Sequence, residues 1–335
     1  MGGDYAPAVV VEGALSALAT PGHHIAAILV GRQEQIEREL ARFPAEAARL
    51  RNVGRLNVVH APDVIEMHDL PNAALKTKRK SSISIGLEIH KEGKAQGFVS
   101  AGNTGAVLSA STLILGRLKG VARPTIGALI PTADSPCLLI DSGTNVDCQP
   151  RHLYEFGVMG SLYVSTMLGK SRPKVALLSI GEEETKGNEA SIHAYALLKK
   201  SELNFVGNVE GRDVLRGEVD VVVCDGFVGN ILLKFGESVP SFLKAKFLRY
   251  AKTGLLAKLS VLVARSGMRS VLKDMDYQEQ GGVPLLGVNG VSIIGHGGST
   301  PKAIKNMILR AEEMVQQRVH HKIQEILQAQ SHGVA

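Results

Sequence analysis

Tryptophan is absent, and aromatic residues make up only 4% of the 335 residues. That argues against a nucleic-acid binder that stacks bases on exposed rings. Cysteine is scarce. Cys137, Cys148 and Cys224 are odd in number, widely spaced and without a C-x-x-C pair, so neither a disulfide framework nor a zinc site is indicated, and a reducing cytoplasm fits. No apolar run reaches bilayer-spanning length, and no secretory leader is visible. The chain has no G-x-G-x-x-G after a strand, no G-x-x-x-x-G-K-[ST] and no H-E-x-x-H. A Rossmann dinucleotide site, a P-loop and a metal site of the last kind are therefore unsupported. Internal repeats and low-complexity tracts are lacking too.

What remains is the composition of a soluble globular protein, with 44% hydrophobic and 21% charged residues. The 36 glycines gather at apparent strand ends rather than in a linker. Short apolar runs read as strands: AAILV (26–30), LNVVH (56–60), GFVS (97–100), IGALI (126–130), CLLID (137–141), KVALLSI (174–180), LNFVG (203–207), VDVVVCD (219–225) and VSIIG (291–295). Helical patterns at 6–19, 151–168 and 188–200 lie between them. Continuous Val/Ile/Leu strands alternating with helices predict an α/β fold with a largely parallel sheet covered on both faces. Ser299, Thr300 and Pro301 open one long final helix, whose apolar stripe runs from Ile304 through Met307, Ala311, Val315, Val319 and Ile323 to Leu327.

The net charge of +6 is unevenly spread. Eight basic residues and no acidic one lie between Pro240 and Lys273: Lys244, Lys246, Arg249, Lys252, Lys258, Arg265, Arg269 and Lys273. Within this stretch Leu255, Leu256, Leu259 and Leu262 form an apolar face too short to span a bilayer. It reads either as a basic amphipathic helix on an anionic surface or as a core or dimer helix with solvated charges. A second basic run, KTKRKSS (76–82), is a solvated face or a dock for an acidic partner.

In open α/β sheets, ligands bind beyond the carboxyl ends of strands. Five such ends carry Gly with Asn, Thr or Ser: AGNTGA (101–106), DSGTNVDC (141–148), GEEETKGNE (181–189), DGFVGN (225–230) and HGGST (296–300). Glycine lets backbone approach a ligand, and unpaired N–H groups at helix starts attract anions. One such turn is weak; five together point to phosphate or another small oxyanion. Glu182, Glu183 and Glu184 lack spaced ligand partners and read better as acids favouring a helix N-terminus. Lys186 reads either as their ion-pair partner or as an anion clamp.

These motifs resemble the PlsX family, the acyl-ACP:phosphate acyltransferases of bacterial phospholipid synthesis. The likeness is carried by MGGDYAP (1–7), KRKSSI (78–83), VSAGNTGA (99–106), SIGEEETKGNE (179–189), FVGNVEGRD (205–213), CDGFVGNILLK (224–234), GGVPLLGVNG (281–290) and IGHGGSTPKAIKN (294–306). Ser142 and Thr144 depart from the family's D-V-G-A-N-V-D, and the family has a short strand ahead of its M-G-G-D, where this chain begins at Met1. The resemblance implies a single three-layer α/β/α sandwich over 1–335, similar to the isocitrate and isopropylmalate dehydrogenases and to phosphotransacetylase. It also implies transfer of a long acyl chain from acyl carrier protein to inorganic phosphate, a homodimer, no metal or organic cofactor, no nucleic acid, and peripheral attachment to the cytoplasmic face of the membrane through the excursion at 240–273.

On that footing, Lys186, Asn188, His296 and the turn of Asn103, Thr104 and Gly105 are expected to bind phosphate and the developing oxyanion. Amides near Gly226, Gly229, Gly297 and Gly298 assist, and Asp225 and Asn230 orient the nucleophile or a neighbouring donor. Asp4 and Asp141 are secondary candidates that also suit loop capping. Cys224, among apolar neighbours, reads as an inert thiol rather than a nucleophile. The competing readings are a phosphotransacetylase-like enzyme using coenzyme A, a dehydrogenase on the related fold, and a non-catalytic membrane-associated scaffold.

Overall fold

The structure, a computed structural model, describes residues 1–271, 278–279 and 281–332. The first half runs α1 (Ala8–Leu18), β1 (Ala27–Gly31), α2 (Gln33–Leu40), α3 (Pro44–Asn52), β2 (Leu56–His60), α4 (Pro71–Thr77), α5 (Ser82–Lys91), β3 (Gly97–Ser100), α6 (Thr104–Ile114), β4 (Thr125–Ile130) and β5 (Cys137–Ile140). The second half runs α7 (Pro150–Leu168), β6 (Lys174–Leu178), α8 (Glu189–Lys199), β7 (Asn204–Val209), β8 (Val221–Val223), α9 (Gly226–Ala251), α10 (Leu255–Val271), β9 (Val283–Leu286), β10 (Val291–Ile294), α11 (Pro301–Gln316) and α12 (Val319–His332).

Eight strands form one sheet in the order β3-β10-β9-β4-β5-β8-β6-β7. Its flanks are parallel and its centre antiparallel. The antiparallel centre departs from a simple β-α-β alternation because β4–β5 and β9–β10 are hairpins, joined through 131–136 and 287–290, and short connections permit only antiparallel neighbours. Strand β9 lay unread in the sequence because Pro284 interrupts its pattern. The β4 ladder starts only at Leu285, so Pro284 removes no bond there.

Alternate residues of the central strands face two helical layers. Leu138, Ile140, Val175, Leu177, Val221, Val223 and Ile293 join α7, α11 and α12 through Phe156, Met159, Met307 and Ile323. Cys137, Leu139, Ala176, Val222 and Cys224 face the layer of α9 through Leu232 and Leu233. Further along that face, Leu285 and Ile294 pack with Leu87, Ala106 and Ala110 of α5 and α6. Both faces of β5 and β8 are buried, which is why these strands read as unbroken aliphatic runs.

One expectation is corrected. The final helix is two: Arg318, at φ 53°, ends α11 and redirects the chain so that Val319, Ile323 and Leu327 of α12 reach the core. The basic excursion is the distal part of α9 followed by α10, with Lys252–Gly254 between them; Lys273 and the side chain of Arg269 lie outside the described residues. The β1–β2 pair is parallel and, among the described residues, shares no ladder with the eight-stranded sheet. Between β1 and β3 runs an apolar cleft of about 540 Å³, lined by Leu29, Val30, Phe98, Val99, Ile304 and Ile308.

Candidate active site

The ladders set strand directions across the sheet. β3, β10 and β4 run one way, and β9, β5, β8, β6 and β7 run the other. The carboxyl ends of β3 and β10 therefore lie along a first edge, and those of β5, β8 and β6 along the opposite, second edge. The sequence-predicted residues divide between them. Asp4, Asn103, Thr104, Gly105, His296, Gly297 and Gly298 occupy the first edge. Asp141, Lys186, Asn188, Asp225, Gly226, Gly229 and Asn230 occupy the second.

At the first edge the starts of α1, α6 and α11 converge. The Asp4 amide donates to the Gly297 carbonyl at 3.0 Å, and the Asp4 carboxylate lies over Gly297 and Gly298, where an added Cβ would meet it at 3.3 Å and 3.5 Å. His296 Nδ1 accepts from the Gly298 amide at 3.1 Å, so the neutral ring carries its proton on Nε2. Asn103 is buried and committed. Its Oδ1 caps α6 by accepting from the Ala106 amide, while Nδ2 donates to the carbonyls of Glu66, Met67 and Asp69 at 3.0–3.1 Å. Its side chain thus holds the 66–69 loop, and the exposed Thr104 at the helix start is the residue open to a ligand. Gly105 has another reason to be glycine: a Cβ would lie 2.7 Å from Pro71 Cγ.

At the second edge Asp141 is fully buried and saturated. Oδ1 accepts from the amides of Gly143 and Thr144, and Oδ2 from the amide and Nδ2 of Asn145, at 2.7–2.9 Å. Burial pushes its pKa above the ordinary carboxylate range, and these four donors pull against that shift. Four N–H partners favour the ionised form, so Asp141 shapes its loop and has no lone pair left for substrate. Asp225 caps α9 by accepting from the Val228 amide at 2.9 Å. Gly226 sits against the backbone of Thr144 and Asn145, and its amide donates to the Asn145 carbonyl at 2.7 Å. Asn230 is exposed beside Gly143. Cys224 is buried and its thiol pKa is pushed well above its usual value by burial, in line with the inert reading.

The Lys186 loop departs from the capping expectation. Asn188, rather than a glutamate, caps α8 by accepting from the Ser191 amide at 2.9 Å. Glu184 pairs with Lys199 at 2.5 Å. Lys186 is exposed, and among the described residues it makes no salt bridge, so its ammonium is not held by the three acids beside it. Its backbone is fixed: its amide donates to Glu183, and its carbonyl accepts from Ser179 Oγ at 3.0 Å. Asn208, which sequence reasoning missed, braces the same loop from β7 by donating to the Glu183 carbonyl at 2.8 Å. Asn145 was missed as well, although its place in DSGTNVDC was a usable signal.

Apart from both edges, α10 exposes Leu255 and Leu256 (84% each), with Leu259 and Leu262 also exposed. Among the described residues, no helix is long and apolar enough to cross a membrane.

The chain matches the family described as "Fatty acid synthesis protein" over residues 1–322. It is 47% identical over 329 residues to the phosphate acyltransferase of Pelotomaculum thermopropionicum, covering 98% of this chain and 94% of that one. It is 48% identical over 325 residues to the phosphate acyltransferase of Heliobacterium modesticaldum, with coverages of 97% and 95%. Among solved structures, it is similar to a branched-chain phosphotransacylase from Enterococcus faecalis, with TM-score 0.59, 16% identity and coverages of 94% and 97%. The EutD phosphotransacetylase from Staphylococcus aureus superposes with TM-score 0.55, 16% identity and coverages of 92% and 91%. At these identities the two structures speak to the fold alone.

Proposed function

This chain belongs to the family of fatty acid synthesis proteins whose curated relatives are phosphate acyltransferases, and from that premise we propose that it draws its acyl group from the thioester of an acyl carrier protein. It is an acyl-transferring enzyme with phosphate as the acceptor. The donor is a long-chain acyl carrier thioester, and the products are acyl-phosphate and the free carrier thiol, for use in phospholipid synthesis.

A phosphate oxygen attacks the thioester carbonyl carbon. The new C–O bond forms as the carbonyl pair moves onto oxygen, and collapse of that oxyanion breaks the C–S bond and releases thiolate, which takes a proton from solvent. Phosphate is anionic at neutral pH, so placement and charge stabilisation supply most of the rate rather than proton removal. The observation that carries the phosphate site is the convergence of three helix starts on Gly297, whose amides and dipoles favour an anion. His296 Nε2–H and the Thr104 hydroxyl add donors. Lys186 supplies positive charge to the oxyanion, and Asn188 and Asn230 orient the reacting groups. Asp225, which caps α9, fixes Asn230 in position.

The enzyme works as a homodimer on the inner face of the cell membrane. The exposed leucines of α10, flanked by Lys252, Lys258 and Arg265, rest on anionic lipid, which keeps a hydrolysable, lipid-soluble product near its consumer. The decisive experiment is phosphate-dependent release of carrier thiol from acyl carrier protein, with acyl-phosphate identified as the second product. Turnover on acyl-CoA of the same chain length, without turnover on the carrier thioester, would establish the phosphotransacetylase-like reading instead.

A further inference from the structure

An acyl group delivered on a carrier protein has to arrive with that protein docked beside the reaction centre. The basic run at 76–80 takes no part in the chemistry at either edge. Lys76, Arg79 and Lys80 are exposed, and among the described residues none of the three makes a salt bridge. We infer that this turn is the docking surface of the donor: it receives an acidic carrier protein, whose thioester arm then reaches the first edge. This rests on the reading of the donor as a carrier thioester and of the first edge as the phosphate site.

The turn is held from both sides. Asp63 accepts from the Lys80 amide at 3.1 Å, and its own amide donates to the Lys80 carbonyl at 3.3 Å. Arg79 Nε donates to the Lys76 carbonyl at the end of α4, at 3.2 Å. Ser81 caps α5 by accepting from the Ser84 amide at 3.2 Å. The cations are thus presented from a fixed backbone. Lys76 has a structural reason as well, since its charge suits the carboxyl end of α4. No such reason covers the Lys80 ammonium or the outer nitrogens of Arg79. Within 63–80 the acids are Asp63, which holds the Lys80 amide, Asp69, which pairs with Lys78, and Glu66, so the exposed charge of the turn is basic.

A chain of contacts ties the turn to the first edge. Lys78 pairs with Asp69, and the Asp69 carbonyl accepts from Asn103 Nδ2 at 3.0 Å, at the start of α6. Met67, in the same loop, covers Gly297, where an added Cβ would stand 2.9 Å from the Met67 Cε. The connecting loop also exposes Leu70 (75%) and Met67 itself. Exposed apolar groups beside unpaired charge mark an interaction surface, and the sign of the charge selects an acidic partner and speeds its arrival. A carrier seated here stands beside the helix starts that converge on Gly297.

Reversing the three exposed charges together, Lys76→Glu, Arg79→Glu and Lys80→Glu, tests this and leaves Lys78 in its ion pair. Phosphate-dependent thiol release is measured on acyl carrier protein and on the same acyl group carried by pantetheine, which has the thioester arm and no protein surface. The KM for the carrier thioester should rise about tenfold or more, with kcat, the KM for phosphate and turnover on acyl-pantetheine unchanged. Wild-type kcat/KM on the carrier should fall as salt rises, and that of the variant should fall less. An unchanged carrier KM in a variant that melts with the wild type overturns the docking surface and leaves the carrier reading standing. A wild type that turns over acyl-CoA and not the carrier thioester overturns both. A raised KM for phosphate, or equal losses on the two donors, assigns the charges to anion gathering and overturns the dock. So does loss of vesicle binding with the carrier KM unchanged, which makes the turn a lipid contact. Should the triple reversal unfold, Lys76→Gln and Lys80→Gln singly should each raise the carrier KM about twofold, and no change in either overturns the inference.

Discussion

Gly229 lies directly on the carbonyl of Asp141: a Cβ at this glycine would stand 1.8 Å from that oxygen and 2.9 Å from Cys224 Sγ. The first turn of α9 and the 141–145 loop are thereby in backbone contact, with no room for a side chain between them. Gly229→Ala must push the two apart. Overpacking of this kind costs about 3 kcal/mol, so a lowered melting temperature and loss of turnover are expected together. A fully stable, fully active variant would show that the contact is looser than described.

Asn103 joins a helix start to a distant loop through four hydrogen bonds. Asn103→Ala loses the cap, worth about 1 kcal/mol, and leaves the loop carbonyls without their donor. Asn103→Asp keeps the cap acceptor and sets a carboxylate against those carbonyls. Denaturant titration should find both variants destabilised, with the aspartate variant unfolding at lower denaturant than the cap alone predicts.

Lys186 is exposed and makes no salt bridge among the described residues, so Lys186→Ala should leave the denaturation midpoint where it is. Loss of a charge that stabilises the developing oxyanion lowers turnover by about 10²-fold or more. Thiol-release kinetics beside a melting curve read both quantities on one sample.

Glutamate at positions 255, 256 and 262 replaces three exposed leucines with charges that anionic lipid repels. Sedimentation with phosphatidylglycerol vesicles should recover the wild type in the pellet and the triple variant in the supernatant, while turnover on soluble substrate persists. Equal pelleting of the two would remove α10 from membrane attachment.

His320 has its Nδ1 buried with no hydrogen-bond partner among the described residues, and its pKa is lowered to about 4, by burial first and then by His321, His90 and Arg318. The unfolded chain, with an ordinary histidine pKa of about 6.5, binds the proton sooner. The contribution of His320 is therefore fully present above pH 6.5 and is lost as pH falls toward about 4. Melting temperatures across this window should fall less steeply in His320→Gln than in the wild type.

Much of the molecule is written in local sequence. Buried strands such as Leu138–Ile140 and Val221–Val223 announced themselves as aliphatic runs because both their faces are covered. Helix starts at Asn103, Asn188, Asp225 and Thr300 carried their caps within three residues. The strand-end motifs alone marked the residues proposed to serve phosphate chemistry. Tertiary structure decided what depends on remote partners. Strand direction follows from which strands hydrogen-bond, and the two central hairpins placed the motifs on opposite edges although each looked alike in sequence. Asn103 spends its amide on carbonyls 34–37 residues away, and Asp141 spends its carboxylate on its own loop. Among the described residues Lys186 makes no salt bridge, and Glu184, two residues before it, pairs instead with Lys199, one helix later. Side-chain type is a local property, whereas the partner that satisfies or frees a polar group is set by folding.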